Sequence, residues 1–320
     1  MDKESLQRRI RRARAITRWL PLILAQRARE LLLPYREVAK HTDLVESESL
    51  HGTRLLAPLN DRHQYRMLFH GCYDWRNACV ARVLCRTGEW VIEIGANVGT
   101  ETLDLCGVVG PSGRVVAYEP NPGNAELLEM TLRNNALQNV TLHRCALGTA
   151  SGRMNFQLPE NKAESGLGHL LLPESSSPGS RLGKSIEVEC RSLDQEKLPA
   201  AAAVFIDVEG WECAVLEGGE RYLQKNKPPL VLEASETLQQ RAGRTVSELA
   251  GMVRDLGYRI WTLGRWGVRP RCERNSPGAH GNWLCLEASQ GAQAVAVGHS
   301  ILRAYILPPI PGLHPLRQSG

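Results

Sequence analysis

The chain has 320 residues, 42% of them hydrophobic and 23% charged, which is enough for one large domain with extensions or for two small domains. Its net charge of +5 is concentrated at the N-terminus, because residues 1–40 hold eleven basic and four acidic side chains. The other 280 residues carry a charge near −2, which argues against a basic nucleic-acid surface on the main part of the chain.

Residues 1–40 read as a basic helical extension. Five apolar residues lie three or four positions apart and predict one apolar stripe on a helix: Leu6, Ile10, Ala13, Ile16 and Leu20. Pro21 is expected to end or kink this helix. The apolar run over 19–25 is far shorter than the roughly 20 residues that cross a bilayer. We expect the extension to pack on the main domain or to form a mobile basic arm. The alternative is a peripheral contact of residues 5–33 with an anionic membrane surface.

Residues 41–88 read as a helical lead-in, and the main domain is expected over 89–290. Strands are predicted near 90–95, 114–119, 139–145, 203–208, 229–234, 257–262 and 282–287. Helices are predicted near 75–86, 98–108, 121–134, 211–224 and 245–256. Strands that alternate with helices predict an α/β fold with a parallel sheet covered on both faces.

Two regions depart from this alternation. Residues 151–200 read as an insertion, with strands near 152–158 and 185–190 and a loop composition at 173–180. Residues 291–320 are expected to form a proline-rich, extended tail. The nine cysteines form no C-x-x-C pair and no zinc spacing, so we expect buried free thiols and a reducing, cytoplasmic compartment.

The segment VIEIGANVGT at 91–100 predicts a strand that breaks into a glycine turn and then a helix. Gly99 is followed by Thr100 and not by Lys, so the turn does not match a P-loop for nucleoside triphosphates. Asn97 and Thr100 stand where the dinucleotide fingerprint has its second and third glycines, so the match to that motif is poor.

Two acids flank the turn. Glu93, just before it, would repel a pyrophosphate but could accept hydrogen bonds from the ammonium group of a ligand. Glu119 ends the second strand, twenty residues after Gly99, where an acid bonds ribose hydroxyls in open α/β folds. An ammonium group and a ribose together favour S-adenosylmethionine as the cofactor.

The chain resembles the FkbM-type family of class I methyltransferases in four blocks between about residues 71 and 287. They are HGCYDWRNACVARVLCRTGEWVIEIGANVGT, GRVVAYEPNPGNAELLEMTLRNN, NVTLHRCALG, and RSLDQ with VFIDVEGWECAVLEGG and PPLVLEAS behind it. The family usually has Asp where Glu93 stands and often Lys where Phe205 stands. The resemblance implies a Rossmann-like, seven-stranded, mostly parallel sheet with a reversed last strand, and O-methyl transfer from S-adenosylmethionine.

The resemblance also carries the cofactor contacts onto positions of this chain. They are Glu93, Gly95, Asn97, Gly99 and Thr100 at the methionine moiety, Glu119 at the ribose, Asn121 near the adenosine, and Cys145 and Ala146 beside the adenine. The N-terminus of the helix after the turn is expected to face the cofactor carboxylate.

The acidic block IDVEGWE at 206–212 is the second chemical cluster. Asp207 ends an apolar strand and is expected to bind the cofactor or to orient a catalytic neighbour. Glu209 is the expected base for the acceptor hydroxyl, since an activated methyl needs mainly positioning and a proton acceptor. Glu233 and His169 are rival bases. Glu212, in the first turn of the next helix, is expected to have a capping role.

The sequence shows no metal-ligand spacing, so no metal is expected; Asp207, Glu209 and Glu233 are the one set that could assemble a site. Few aromatic residues and a near-neutral main domain argue against an RNA substrate.

We therefore expect an O-methyltransferase that acts on a hydroxyl of a sugar, glycolipid or polyketide-like metabolite, with residues 41–88 and 151–200 on the acceptor side. The rivals are a non-catalytic binding protein of the same fold that docks through its basic helix, and a methyltransferase acting on protein side chains.

Overall fold

The structure is a computed structural model, and it describes residues 3–159, 168–171, 184–271, 281–311 and 313–317. The described helices are α1 (Lys3–Thr17), α2 (Leu22–Leu32), α3 (Tyr35–Val38), α4 (Arg62–His70), α5 (Trp75–Leu84), α6 (Thr100–Val109), α7 (Pro122–Asn134), α8 (Glu212–Gly218), α9 (Glu220–Asn226), α10 (Glu236–Arg241), α11 (Val246–Asp255) and α12 (Gly291–Ile306). The described strands are β1 (Leu44–Glu48), β2 (Arg54–Pro58), β3 (Trp90–Ile94), β4 (Arg114–Tyr118), β5 (Val140–His143), β6 (Ala146–Leu147), β7 (Gly152–Gln157), β8 (His169–Leu170), β9 (Ser185–Arg191), β10 (Ala203–Ile206), β11 (Leu230–Ala234), β12 (Tyr258–Gly264), β13 (Gly267–Pro270) and β14 (Gly281–Glu287). The loop predicted at 173–180 lies outside the described residues.

An eight-stranded sheet forms the centre of the fold, in the order β13-β12-β14-β11-β10-β3-β4-β5. Neighbours from β11 to β5 are parallel, whereas β14 runs antiparallel to both β11 and β12. The predicted Rossmann-like sheet with its reversed last strand is therefore confirmed. The eighth strand, β13, forms an antiparallel hairpin with β12. The sequence does not predict it, because a four-residue run that ends in proline reads as a loop.

The central strands bury apolar side chains on both faces, as parallel strands do. Ile92 and Ile94 pack in one cluster with α8 and α11, whereas Val91 packs in another with α5, α6 and α12. Because side chains alternate along a strand, Glu93 points to the same face as Val91. The eight cysteines within the described ranges are buried free thiols, as expected of small hydrophobes.

The N-terminal helix α1 packs through its apolar stripe on α4, which belongs to the lead-in over 41–88 and not to the predicted main domain. Leu6, Ile10 and Ala13 are buried in one cluster with α4. Ile16 does not continue the predicted stripe, since it is 48% exposed. The buried Thr17 takes the next position instead. A second helix, α2, begins directly after Pro21. Within the described ranges, no helix has the length and apolar character needed to cross a membrane.

The inserted region 151–200 contributes a second sheet, in the order β6-β9-β7-β8. Its two long strands match the predicted ones. The structure corrects two other expectations. The predicted helix over 211–224 is divided at Gly219 into α8 and α9. Residues 291–306, assigned above to an extended tail, form α12, which packs against α5. Its buried residues recur at helical spacing: Ala294, Val297, Ile301, Ala304 and Tyr305.

Candidate active site

The candidate active site is a pocket at the carboxyl ends of the parallel strands. Ile94 ends β3, Tyr118 ends β4 and Asp207 directly follows β10, and all three contribute to the pocket wall. The wall includes nine residues that the sequence analysis singled out: Gly95, Asn97, Glu119, Cys145, Ala146, His169, Asp207, Glu209 and Glu233.

The pocket floor is formed where β3 and β10 end side by side. The backbone N–H groups of Gly95 and Ala96 both donate to the carbonyl of Tyr118, at 2.9 and 3.0 Å. Gly95 has a φ of +92°, and a Cβ at this position would lie 1.9 Å from the backbone oxygen of Asp207. Only glycine fits here, because both the conformation and the close approach exclude a side chain.

Glu119 joins two loops of the pocket. Its Oε2 accepts the backbone N–H of Asn97 and its Oε1 accepts the backbone N–H of Asn121, both at 2.8 Å. Burial raises the pKa of Glu119 to about 7, although these backbone hydrogen bonds oppose the shift. The side chain of Asn124 donates a third hydrogen bond to this carboxylate, so one of its four lone pairs is left for a ligand hydroxyl.

Glu93 is not part of the pocket wall. Its Oε2 accepts a hydrogen bond of 2.6 Å from the hydroxyl of Thr102 in α6, on the far side of the sheet from α8. Burial raises the pKa of Glu93 to about 8, with the neighbouring acids Glu119 and Asp207 adding to the shift. The predicted contact of Glu93 with a ligand ammonium group therefore has no counterpart in the wall, because strand alternation turns the side chain toward α6.

Three further predicted cofactor residues lie next to the pocket without lining it. Gly99 precedes α6, and a Cβ there would lie 2.4 Å from Leu128, so this glycine allows α7 to pack closely. Thr100 is buried as the first residue of α6. Asn121 is the N-cap of α7, and its side chain accepts the backbone N–H of Gly123 at 3.0 Å.

Three carboxyl groups meet on the pocket wall. Oxygens of Asp207, Glu209 and Glu233 lie within 4.8 Å of one another. Burial and the neighbouring carboxylates raise all three pKa values, to about 9 for Glu209 and about 7 for Glu233. Because like charges this close do not all ionise, the cluster retains protons near neutral pH and can share a proton or a cation.

Glu212 holds the loop that presents this cluster. It is 1% exposed, and its Oε1 accepts the backbone N–H groups of Val208 and Gly210, both at 3.3 Å. Its Oε2 accepts a hydrogen bond from the side-chain amide of Gln239. The expected capping role of Glu212 thus takes a specific form, since the side chain fixes the turn around Glu209, whose φ is 54°.

Side chains from outside the central sheet complete the mouth of the pocket. His63 of α4 stacks on Tyr73 with ring centroids 3.8 Å apart and an interplanar angle of 11°. Arg66 lies over the other side of the Tyr73 ring, 4.9 Å from its centroid. Burial lowers the pKa of His63, which favours the neutral imidazole. Phe156 and Leu170 contribute an apolar surface from the second sheet.

The sequence predicts that residues 41–88 and 151–200 lie on the acceptor side, but it does not indicate His63 and Tyr73 as residues of the site. No periodic pattern marks them, since one lies in a helix and the other in the turn after it. In these two segments, His169 is the one residue that the sequence indicates as a candidate base. It lies on the pocket wall, and the guanidinium of Arg241 lies 3.4 Å from its Nδ1.

Comparison with known proteins identifies a family match over the part of the chain that contains most of the pocket residues. A family model described as the methyltransferase FkbM domain matches residues 93–260, more than half of the chain. No curated protein matches the chain.

Solved structures similar to the chain include methyltransferase FkbM from Methylobacillus flagellatus KT, at 17% identity and a TM-score of 0.41. That match covers 81% of this chain and 60% of the other, so this chain spans less than two thirds of that relative's length. An S-adenosylmethionine-dependent O-methyltransferase from Thermotoga maritima matches at 15% identity and a TM-score of 0.38, over 77% of this chain and 78% of the other. Fibrillarin from Aeropyrum pernix, solved with natively bound S-adenosyl-L-methionine, matches at 11% identity and a TM-score of 0.37, over 66% and 73%.

Proposed function

The chain belongs to the FkbM family of methyltransferases, and from this premise we propose that it transfers the methyl group of S-adenosylmethionine to a hydroxyl of a sugar, glycolipid or polyketide-like metabolite. The observation that carries the oxygen acceptor is the half-buried cluster of Asp207, Glu209 and Glu233, which offers a proton acceptor at the pocket wall.

The residues of the pocket fit the cofactor. The Oδ1 of Asn97 is buried and has no hydrogen-bond partner among the described residues, so it can accept from a ligand ammonium group. Glu119 keeps one lone pair for a ribose hydroxyl. Cys145 and Ala146 offer a small, buried surface to an aromatic base. Burial raises the pKa of the Cys145 thiol to about 12, so this group stays neutral.

The acid cluster supports the chemistry required of the protein. S-adenosylmethionine, when bound, supplies an electrophilic methyl group on a sulfonium. The protein must hold the acceptor hydroxyl in line and take its proton as the new bond forms. Glu209 is the proposed base, because it lines the pocket and, once ionised, its raised pKa makes it a stronger proton acceptor than an ordinary carboxylate. Asp207 is the proposed positioning partner, since a carboxylate oxygen of Asp207 lies within 4.8 Å of one of Glu209.

The acceptor is proposed to enter between the His63–Tyr73 stack and the apolar surface of Phe156 and Leu170. A ring face beside apolar side chains suits a molecule with both a hydrocarbon surface and hydroxyl groups. The neutral His63 can donate or accept one hydrogen bond with such a molecule.

The test is to incubate the protein with S-adenosylmethionine labelled in its methyl group and a lysate fractionated into glycan, lipid, protein and small-molecule pools. Label in the glycan, lipid or small-molecule pool, stable to mild base as an ether is, supports the proposal. Label in the protein pool alone overturns the acceptor class.

Two variants separate chemistry from binding. Glu209→Gln is expected to lower the rate by about a hundredfold or more while calorimetry shows unchanged cofactor affinity. Glu217→Gln, at a half-buried acid paired with Arg244 outside the pocket, is the matched control. No binding of the cofactor by the unmodified protein overturns the enzyme hypothesis and favours a binding protein of the same fold.

A further inference from the structure

A basic groove lies outside the pocket, between α1, the turn that follows β1 and the C-terminal segment. Its volume is about 530 Å³, within the range of about 300–1,000 Å³ that is typical of ligand sites. The wall carries four arginines, Arg11, Arg14, Arg18 and Arg317, against a single acid, Glu48. None of these residues lines the candidate active site.

The arginines of this groove are available to an external anion. Elsewhere in the same helix, Arg8 pairs with Glu4 and Arg9 with Glu37. By contrast, Arg11 and Arg14 form no ion pair within the part of the chain that the structure describes. Arg11 and Arg14 lie on one side of α1, because residues three apart are neighbours on its surface, and Arg18 directly follows the last residue of the helix. A groove with this charge favours a phosphate over a neutral ligand.

An exposed tryptophan stands next to the same arginines. Trp19 is 59% exposed and lines the groove, and Arg18 lies over its ring at 4.7 Å. The predicted apolar stripe of α1 is covered by α4, so a membrane contact at this groove would use Trp19 instead.

We propose that this groove binds the phosphate headgroup of an anionic phospholipid, while Trp19 enters the interface of the bilayer. Basic residues beside an exposed tryptophan are the combination that favours an anionic membrane surface. A nucleic-acid duplex would use the arginines alone and would leave Trp19 in water. This site is independent of the proposed methyl transfer, since it requires no residue of the active-site pocket.

The test is co-sedimentation of the full chain with vesicles of phosphatidylcholine, alone or with 30 mol% phosphatidylglycerol (a composition of about one anionic lipid in three). Binding is expected only with the anionic vesicles, and it should weaken as the salt concentration rises. The triple variant Arg11→Gln, Arg14→Gln, Arg18→Gln is expected to lose roughly a hundredfold in partitioning, given the attraction of each basic residue to an anionic surface. The variant Trp19→Ala is expected to lose roughly tenfold.

Matched controls separate the groove from net charge and from folding. The triple variant Arg254→Gln, Arg259→Gln, Arg269→Gln removes the same charge from exposed positions elsewhere, and Trp266→Ala removes another exposed tryptophan. Both controls should bind as the unmodified chain does, and every variant should keep its melting temperature and its affinity for S-adenosylmethionine.

Three outcomes overturn the proposal. They are equal binding to neutral vesicles, an equal loss in the charge control, and groove-dependent binding to a DNA duplex without binding to vesicles. The readout does not use methyl transfer, so a failure here is distinct from a failure of the proposed function.

Discussion

Replacing Glu212 tests whether one buried carboxylate positions the catalytic loop. Glu212→Ala leaves three donors without an acceptor: the backbone N–H groups of Val208 and Gly210 and the amide of Gln239. An unsatisfied buried donor costs about 1–3 kcal/mol, and bonds of 3.3 Å lie at the weak end of that range. Taking about 1 kcal/mol for each donor, we expect the free energy of unfolding to fall by about 3 kcal/mol.

Glu212→Gln is the matched control, because it preserves the shape of the side chain. The remaining oxygen can accept both backbone N–H groups, and Gln239 can turn its amide to present an oxygen to the new NH₂ group. We expect this variant to lose less than about 1 kcal/mol at acidic pH.

The two variants also predict a dependence on pH. Burial raises the pKa of Glu212 from its ordinary 4.5 to about 7. The stability that this group contributes is therefore fully present below pH 4.5 and is lost as the pH rises through 7, because the unfolded chain releases the proton more readily. Glutamine does not titrate, so the stability of the unmodified chain relative to Glu212→Gln should fall by about 2–3 kcal/mol between about pH 5 and pH 8.5.

The assay is urea denaturation of all three proteins at both pH values, with equal slopes required before the free energies are compared. Cofactor affinity, measured by calorimetry, should fall for Glu212→Ala because Asp207 belongs to the same loop. If Glu212→Ala unfolds at the same urea concentration as Glu212→Gln, the carboxylate does not hold the loop and the reasoning fails.

Three further predictions concern other parts of the fold. Gly95→Ala should lower the melting temperature and abolish cofactor binding, since its Cβ would lie 1.9 Å from the Asp207 oxygen; Gly152→Ala, where a Cβ meets nothing within 4 Å, should change neither. Glu119→Gln should weaken S-adenosylmethionine binding about tenfold, because one hydrogen bond to a charged group is lost. Unchanged affinity in calorimetry would show that the ribose is bound elsewhere. Ile10→Ala should lower the free energy of unfolding by about 2–5 kcal/mol and expose α1 to limited proteolysis; resistance equal to that of the unmodified chain would mean that the α1 contact is not stabilising.

The sheet could be predicted because each central strand is a short apolar run bounded by turn residues. The apolar run at Val91 and Ile92 ends at the turn that contains Gly95, and the apolar run before Asp207 also ends at a loop. The sequence therefore indicates that both segments are strands and gives their order along the chain. The hairpin strand β13 could not be predicted, since its short sequence shows neither the strand period nor the helix period. Helix α12 was missed because the prolines that follow residue 306 suggested an extended tail, although Val297 and Ile301 already carry the helical spacing.

The site was predicted less completely than the sheet. Motif positions locate a loop, and Gly95 and Asn97 lie on the pocket wall. They do not give the direction of a side chain, which is why Glu93 was expected in the pocket and instead contacts Thr102. His63 and Tyr73 reach the pocket only through the packing of α4 on the domain, and a contact that depends on tertiary structure leaves no local pattern.

The packing of α12 has a consequence for how the chain is made. Helix α12 contacts both α5 and α2, and Leu22 of α2 lies in the same apolar cluster as Val297 and Ile301. A ribosome makes α2 and α5 well before α12, which begins about 200 residues after α5 ends, so the apolar side of α5 stays uncovered while those residues are made. The nascent chain therefore carries a long-lived apolar face, of the kind that chaperones bind, until α12 emerges and closes it.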